Sequence, residues 1–171
     1  MLIPNEYGLN AGAAAEFMTF QVDELQPKAL AKVRWNGERV GVGGSSLGGL
    51  IAMDLALAHP DVYAAAVSLS GAFWPGMGSG DALRDRIPTY GKQPIAIYLD
   101  HGGNVANNSD GAADSVEVRD ELMDLGWSRS DSPSCTASPT TVCYHSEPGA
   151  THDELAWKAR TWRFLRYLYP L

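Results

Sequence analysis

A chain of 171 residues, 45% hydrophobic and 19% charged, is long enough to bury one sizeable core, which argues against disorder and for a single domain over residues 1–171. Thirteen Lys plus Arg against twenty Asp plus Glu give a net charge of −7, and the basic residues are scattered, so nothing resembles a phosphate-backbone footprint and no nucleic-acid partner is expected. The longest apolar runs, such as Ala64 to Val67 and Ile95 to Leu99, are far too short to span a bilayer, so no membrane partner is expected either.

The first residues, Met1-Leu2-Ile3-Pro4-Asn5-Glu6, lack a basic start and a long apolar stretch; no signal peptide is visible, and the cytoplasm is slightly favoured. From Ala13 to Val33, Met18, Val22, Leu25 and Ala29 recur at helical spacing, with Pro27 marking a kink or break. Arg39 to Gly43 reads as a short strand ending in glycines. Leu47 to Ala58 then returns to helical period through Leu47, Ile51, Leu55 and Ala58, stopped by His59-Pro60. Ala64 to Leu69 and Ile95 to Leu99 are further strands, each ending in a glycine-bearing loop, and Asp81 to Ile87 between them is a short helix.

Ala112 to Leu125 places Val118, Leu122 and Leu125 on one helical face before Gly126. A fourth strand, Thr141 to Ser146, leads into a final helix, Asp153 to Leu168, whose face carries Leu155, Ala159, Trp162 and Leu165. Cys135 and Cys143, eight positions apart, flank a Ser/Thr/Pro-rich segment and are either two free thiols or a disulfide closing a small surface loop. Two thiols with no histidine at zinc-motif spacing do not complete a four-ligand set, so no metal is expected. Alternating strands and helices predict an α/β fold: a mainly parallel sheet of about four strands covered on both faces.

Gly44-Ser45-Ser46-Leu47-Gly48 matches G-x-S-x-G between an apolar strand and an amphipathic helix, the context that gives the motif meaning. At such an elbow the backbone is strained and small neighbours relieve the conflict, which pushes the Ser46 hydroxyl to the C-terminal edge of the sheet as a nucleophile. The Leu47 N–H, at the helix start, then points toward the oxygen that becomes negative when Ser46 attacks an acyl carbon.

The hydroxyl needs a base, and in this architecture the chain order is Ser, acid, His. His152 stands between the fourth strand and the last helix, where that base belongs. His59 reads as a helix end, His145 lies within a strand, and His101, just past the third strand, lines the site without being the base. The acid belongs in the loop after the third strand, where Asp110 is preferred because it sits in a polar Gly/Asn loop able to curl over the site. Asp100 remains an alternative, although a carboxylate at a strand end often anchors backbone N–H groups. Asp114 is the other, equally suited to a cap or first turn of the following helix.

Gly43-Gly44-Ser45-Ser46-Leu47-Gly48-Gly49-Leu50, His59-Pro60-Asp61, Ser68-Leu69-Ser70-Gly71-Ala72-Phe73-Trp74, Tyr98-Leu99-Asp100-His101-Gly102 and Pro148-Gly149-Ala150-Thr151-His152-Asp153-Glu154, with Trp157 and Arg160, occur in this order. Together they resemble the esterase family of α/β-hydrolases that includes esterase D, siderophore esterases, and feruloyl and acetylxylan esterases. The resemblance runs from about Glu16 to Leu168. It implies Ser46 as nucleophile, His152 as base and Asp110 as acid, with Trp74 bordering the acyl or alcohol pocket; Ser45 and His101 are further expected substrate-binding residues.

Family members carry several strands before the elbow, including a loop that donates the second oxyanion N–H, whereas only 45 residues precede Ser46 here. The expectation is a truncated α/β-hydrolase whose Arg39 to Gly43 strand is an open sheet edge, covered by another copy in a homo-oligomer. The expected activity is hydrolysis of small or aryl carboxylic esters through an acyl-enzyme, without metal or organic cofactor. The alternatives are an acyltransferase on the same three residues, or a remnant that binds an ester or a partner chain without catalysis.

Overall fold

The structure, a computed structural model, describes residues 13–74 and 83–170. Five parallel strands form one sheet in the order β1-β2-β3-β5-β4: β1 (Val40–Ser45), β2 (Tyr63–Leu69), β3 (Ala96–His101), β4 (Ser128–Ser130) and β5 (Thr141–Ser146). The α/β architecture is the one expected, with one strand more. β4 escapes sequence reading because Ser-Arg-Ser carries no apolar alternation; its placement comes from pairing with Thr141 to Cys143.

Helices cover both faces, as parallel sheets require. On one face lies α3 (Leu47–Ala58), buried continuously from Gly49 to Leu57, together with α4 (Leu83–Tyr90) and α5 (Ala112–Asp124). The other face belongs to α6 (Glu154–Leu168), whose Tyr167 and partly buried Trp157, Phe164 and Leu168 pack on Ala65, Val67, Leu69, Ala96 and Tyr98. Alternation along β2 supplies both layers, since Ala66 faces the first core and Ala65, Val67 and Leu69 face the second.

The buried face of α6 is therefore not the expected one. Leu155, Trp162 and Leu165 are 79%, 45% and 44% exposed, and Ala159 is exposed. Two stripes at helical spacing compete on this helix. The one carrying Trp157, Phe164 and Tyr167 offers the larger aromatic area, and it also brings Arg160 to a buried carboxylate.

Near the start, the single expected helix is broken into α1 (Ala14–Thr19), a π-helical turn (Phe20–Leu25) and α2 (Gln26–Leu30). The wider turn rotates the apolar stripe, so Met18 is buried, Val22 half-buried and Leu25 exposed. Pro27 does not end the helix. It occupies the first turn of α2, where its missing N–H leaves nothing unsatisfied. α4 runs past Ile87 to Tyr90, whose hydroxyl donates to the buried Asp54 at 2.7 Å beside the Arg86–Asp54 ion pair. Asp81 and Ala82, expected in this helix, lie outside the described residues.

Cys135 and Cys143 are joined, their Cα atoms 5.9 Å apart, which decides between the two readings of the pair. Among the described residues no strand pairs with the outer edge of β1. Along that edge Gly43, Gly44 and Ser45 line an apolar groove of about 510 Å³ against Trp157, Phe164 and Leu168. No described helix is long and apolar enough to cross a membrane.

Candidate active site

β1 delivers Ser46 to the start of α3 with φ 53° and ψ −123°, outside the regions that L residues prefer. The turn closes because its neighbours are small: a Cβ on Gly44 would stand 2.5 Å from the Gly48 carbonyl carbon. Backbone bonds fix the turn further, with Ser46 N–H donating to Leu69 C=O, and the N–H groups of Ala72 and Leu50 donating to Ser46 C=O. The Leu47 N–H is the first of the helix and has no intrahelical carbonyl to bond, which leaves it directed out of the helix end.

His152 reaches this turn from the opposite side of the sheet's C-terminal edge. Its Nε2 lies 2.8 Å from Ser46 Oγ and its Nδ1 lies 2.6 Å from Asp110 Oδ1. The ring is held at the start of α6, where Asp153 caps the helix by accepting from the Leu155 and Ala156 N–H groups. Two indoles bracket it edge-on, Trp74 at 5.5 Å and Trp157 at 5.1 Å between ring centroids. A carboxylate on Nδ1 makes that nitrogen the donor and leaves Nε2 to accept from the Ser46 hydroxyl.

Asp110 sits on a 3₁₀ turn (Ser109–Gly111) with φ 58°, preceded by Asn108 at φ 51°. Its Oδ2 accepts from Ser70 Oγ at 2.6 Å and from the Gly102 N–H. Burial would raise its pKa, but the hydrogen bonds from His152, Ser70 and Gly102 together outweigh that and hold the carboxyl below its ordinary range. The loops after β3 and β5 continue hydrogen bonding beyond the sheet: Glu147 N–H to His101 C=O, Gly103 N–H to Ala150 C=O, and Gly149 N–H to Gly103 C=O. Gly102 stands where they close, and a Cβ there would lie 2.5 Å from the Ala150 carbonyl oxygen.

The alternatives for the acid have other partners. Asp100, fully buried, accepts from the Ser70 N–H at 3.2 Å, matching the anchoring role a strand-end carboxylate was expected to play, and pairs with Arg160 at 3.2 Å. Burial raises its pKa while Arg160, Ser70 and Tyr98 pull it back. Asp114, in the first turn of α5, accepts from Asn108 Nδ2 at 2.8 Å. Neither is hydrogen-bonded to His152.

His101 does not line an open site. It is 1% exposed, with Nδ1 against the Gly102 carbonyl oxygen and Nε2 against the Tyr144 hydroxyl. Burial lowers its pKa, and the neutral ring donates from Nδ1 and accepts the Tyr144 proton at Nε2. His101 thus braces the loop whose Gly102 N–H holds Asp110. Ser45 is half-buried and faces the groove beside β1; Trp74 is half-buried beside His152.

Two residues that support Asp110, Ser70 directly and Arg160 through Ser70, were given no role from the sequence. The signal was an arginine among Trp157, Phe164 and Tyr167 at helical spacing, since a charge on a buried stripe must meet an opposite charge. Among the described residues no three His, Cys, Asp or Glu side chains are grouped as metal ligands.

The family model described as "Putative esterase" matches residues 4–161. The chain belongs to this esterase family. Its fold is similar to the enterobactin esterase of Shigella flexneri, with a TM-score of 0.66 at 20% identity over 88% of this chain and 37% of that one. It is also similar to a ferulic acid esterase, at 0.64 and 16% over 86% and 58%, and to the BES protein of Bacillus cereus, at 0.70 and 14% over 96% and 62%. The chain thus spans between about a third and three fifths of the length of these proteins. No curated protein sequence matches it.

Proposed function

We propose that this esterase-family chain is a serine carboxylesterase. The observation that carries this reading is the continuous hydrogen-bonded line Ser46 Oγ to His152 Nε2 at 2.8 Å and His152 Nδ1 to Asp110 Oδ1 at 2.6 Å. A hydroxyl, an imidazole and a carboxylate in that order allow the serine to lose its proton as it attacks.

In the acylation step Ser46 Oγ bonds to the ester carbonyl carbon and its proton passes to His152 Nε2. Asp110 stabilises the resulting imidazolium and keeps Nδ1 protonated throughout. The Leu47 N–H, reinforced by the positive end of α3, faces the oxygen that gains charge. His152 then gives its proton to the departing alcohol oxygen. Water, deprotonated by the same nitrogen, attacks the acyl-Ser46 carbon and frees the acid and the serine.

Small or aryl carboxylic esters are the proposed substrates. Trp74 and Trp157 flank the base with flat apolar surfaces, and His152 is exposed, so an ester group reaches Ser46 without displacing the fold. The test is hydrolysis of p-nitrophenyl acetate by the wild type beside Ser46→Ala. The serine route predicts a loss of at least about 10³-fold in kcat, as for removal of a triad member. Equal rates in the two proteins reject it.

A further inference from the structure

The hydrogen-bonded line does not stop at Asp110. Ser70, fully buried at the end of β2, has a φ of 45°, and its hydroxyl stands between two charged groups. On one side is Asp110 Oδ2 at 2.6 Å; on the other is Arg160 Nη2, also at 2.6 Å. A guanidinium only donates, so it occupies the acceptor side of the Ser70 oxygen. The single hydroxyl proton is left with one direction, toward the acid.

Arg160 is itself fixed. Its Nε donates to Asp100 Oδ2 at 3.2 Å, Asp100 Oδ1 accepts the Ser70 N–H, and the Tyr98 hydroxyl donates to Asp100 Oδ2 at 3.2 Å. Arg160 and Asp100 are 1% and 0% exposed. Desolvating both charges makes such a pair a poor device for stability alone, and an apolar pair of the same volume usually serves a core as well. The pair is also placed with reference to the site: α6 begins just after His152 and carries Arg160 two turns later, so one rigid element sets both the base and the group that orients the acid's partner.

The acid needs such a partner. Residues Asn104 to Ser109 are exposed, so little apolar packing locates their loop, and Asp110 itself is held in a left-handed conformation. Its side chain is nonetheless 1% exposed and has donors on both oxygens.

We propose that Ser70 and Arg160 are positioning residues for this reaction: Arg160 fixes the direction of the Ser70 hydroxyl, and that hydroxyl fixes the rotation of the Asp110 carboxylate on His152. This rests on the serine-esterase reading above and adds the groups that hold its acid.

The test is a double-mutant cycle between Ser70→Gly and Asp110→Asn, read as kcat and KM on p-nitrophenyl acetate, with Ser46→Ala as control and thermal melting on every protein. Glycine removes the hydroxyl and tolerates the positive φ, so the turn is kept. Ser70→Gly is expected to lower kcat about tenfold or more with KM within twofold, and to cost less than twofold further in the Asp110→Asn background. Arg160→Lys, which retains the cation and loses the fork, is expected to fall between wild type and Ser70→Gly, and it serves in place of Ser70→Gly if that variant does not fold.

The low-field proton NMR signal of His152 Nδ1–H gives a reading independent of turnover. It should shift or broaden in Ser70→Gly and disappear in Asp110→Asn. An unchanged signal with kcat within twofold of wild type overturns the proposal, as does an equal fall in both backgrounds. Wild-type activity in Ser46→Ala instead rejects the serine route itself, and the NMR comparison then decides the positioning role by itself.

Discussion

The two flanks of the site are built by different means. On one side, Asp110 and His152 are held by side-chain and backbone hydrogen bonds from the ends of β2, β3 and β5 and from α6, backed by a fully buried Asp–Arg pair. On the other side, Ser46 is placed by backbone hydrogen bonds and by the absence of side chains: Gly44 lets α3 approach β1, and no strand pairs with the outer edge of β1 among the described residues. One flank is specified by side-chain partners and the other by close approach of backbone. The lesson is that the two should fail differently, the first through lost orientation and the second through steric collision.

The largest expected effect falls on the glycine flank. Gly44→Ala drives a Cβ into the Gly48 backbone, and neither side of the contact is a side chain that can swing away. A loss of about 2–3 kcal/mol of stability in urea unfolding is expected, together with a fall of about 10²-fold or more in kcat/KM as Ser46 is displaced. A variant with wild-type kcat/KM would erase the distinction between the flanks.

The β4–β5 connection should behave as a purely structural region. Replacing Cys135 and Cys143 by serine opens a loop of eight-residue separation and is expected to cost about 2.5 kcal/mol by the loop-entropy relation. Its kcat should stay within twofold of the wild type, because the bridge ties the β4–β5 connection and touches neither Asp110 nor His152. Urea midpoints and steady-state rates on the same samples separate the two effects.

The hydrogen-bonded flank should announce itself in acid. Asp110 has a folded pKa below its unfolded value near 3.9, so its contribution is fully present above that value and is lost as pH falls through the lower folded one. The stability that Asp110 adds over Asp110→Asn is therefore expected to shrink as pH falls below about 4. Urea unfolding across that range measures it, and a difference that grows in acid contradicts the assigned direction.

The smallest effect sharpens the comparison from within the motif. A Cβ at Gly48 meets nothing within 4 Å, so Gly48→Ala is expected to keep activity and to gain up to about 1 kcal/mol from helix propensity. Gly48 is then the replaceable glycine of G-x-S-x-G, and Gly44 the one that geometry demands. The open β1 edge carries one further proposal, a second copy covering it. Light scattering should return a mass above 18.4 kDa, and Gly41→Lys, which puts a charge on that edge, should return the monomer. A wild-type monomer at micromolar concentration removes the proposal.

Much of this was legible in the sequence because local signals and global fold agree there. The run Leu47 to Ala58 has its stop at His59-Pro60 and becomes a helix of those bounds, and Thr141 to Ser146 is a strand of those bounds. Ser46, Asp110 and His152 were singled out by chain order and loop position, and the fold brings all three together. What escaped was decided by tertiary contact. β4 has no pattern without β5, and the inner face of α6 is chosen between two apolar stripes by aromatic area and by Asp100, the second of which is not visible along the helix. His101 looked like a site residue because it follows a strand, but the Tyr144 hydroxyl captures its ring inside the sheet layer.

The placement of Trp74 and Trp157 against His152 gives the protein an optical consequence. Two of the five tryptophans stand against this one ring, so a displacement of His152 changes the surroundings of both indoles at once and is expected to be legible in the intrinsic emission of the folded protein.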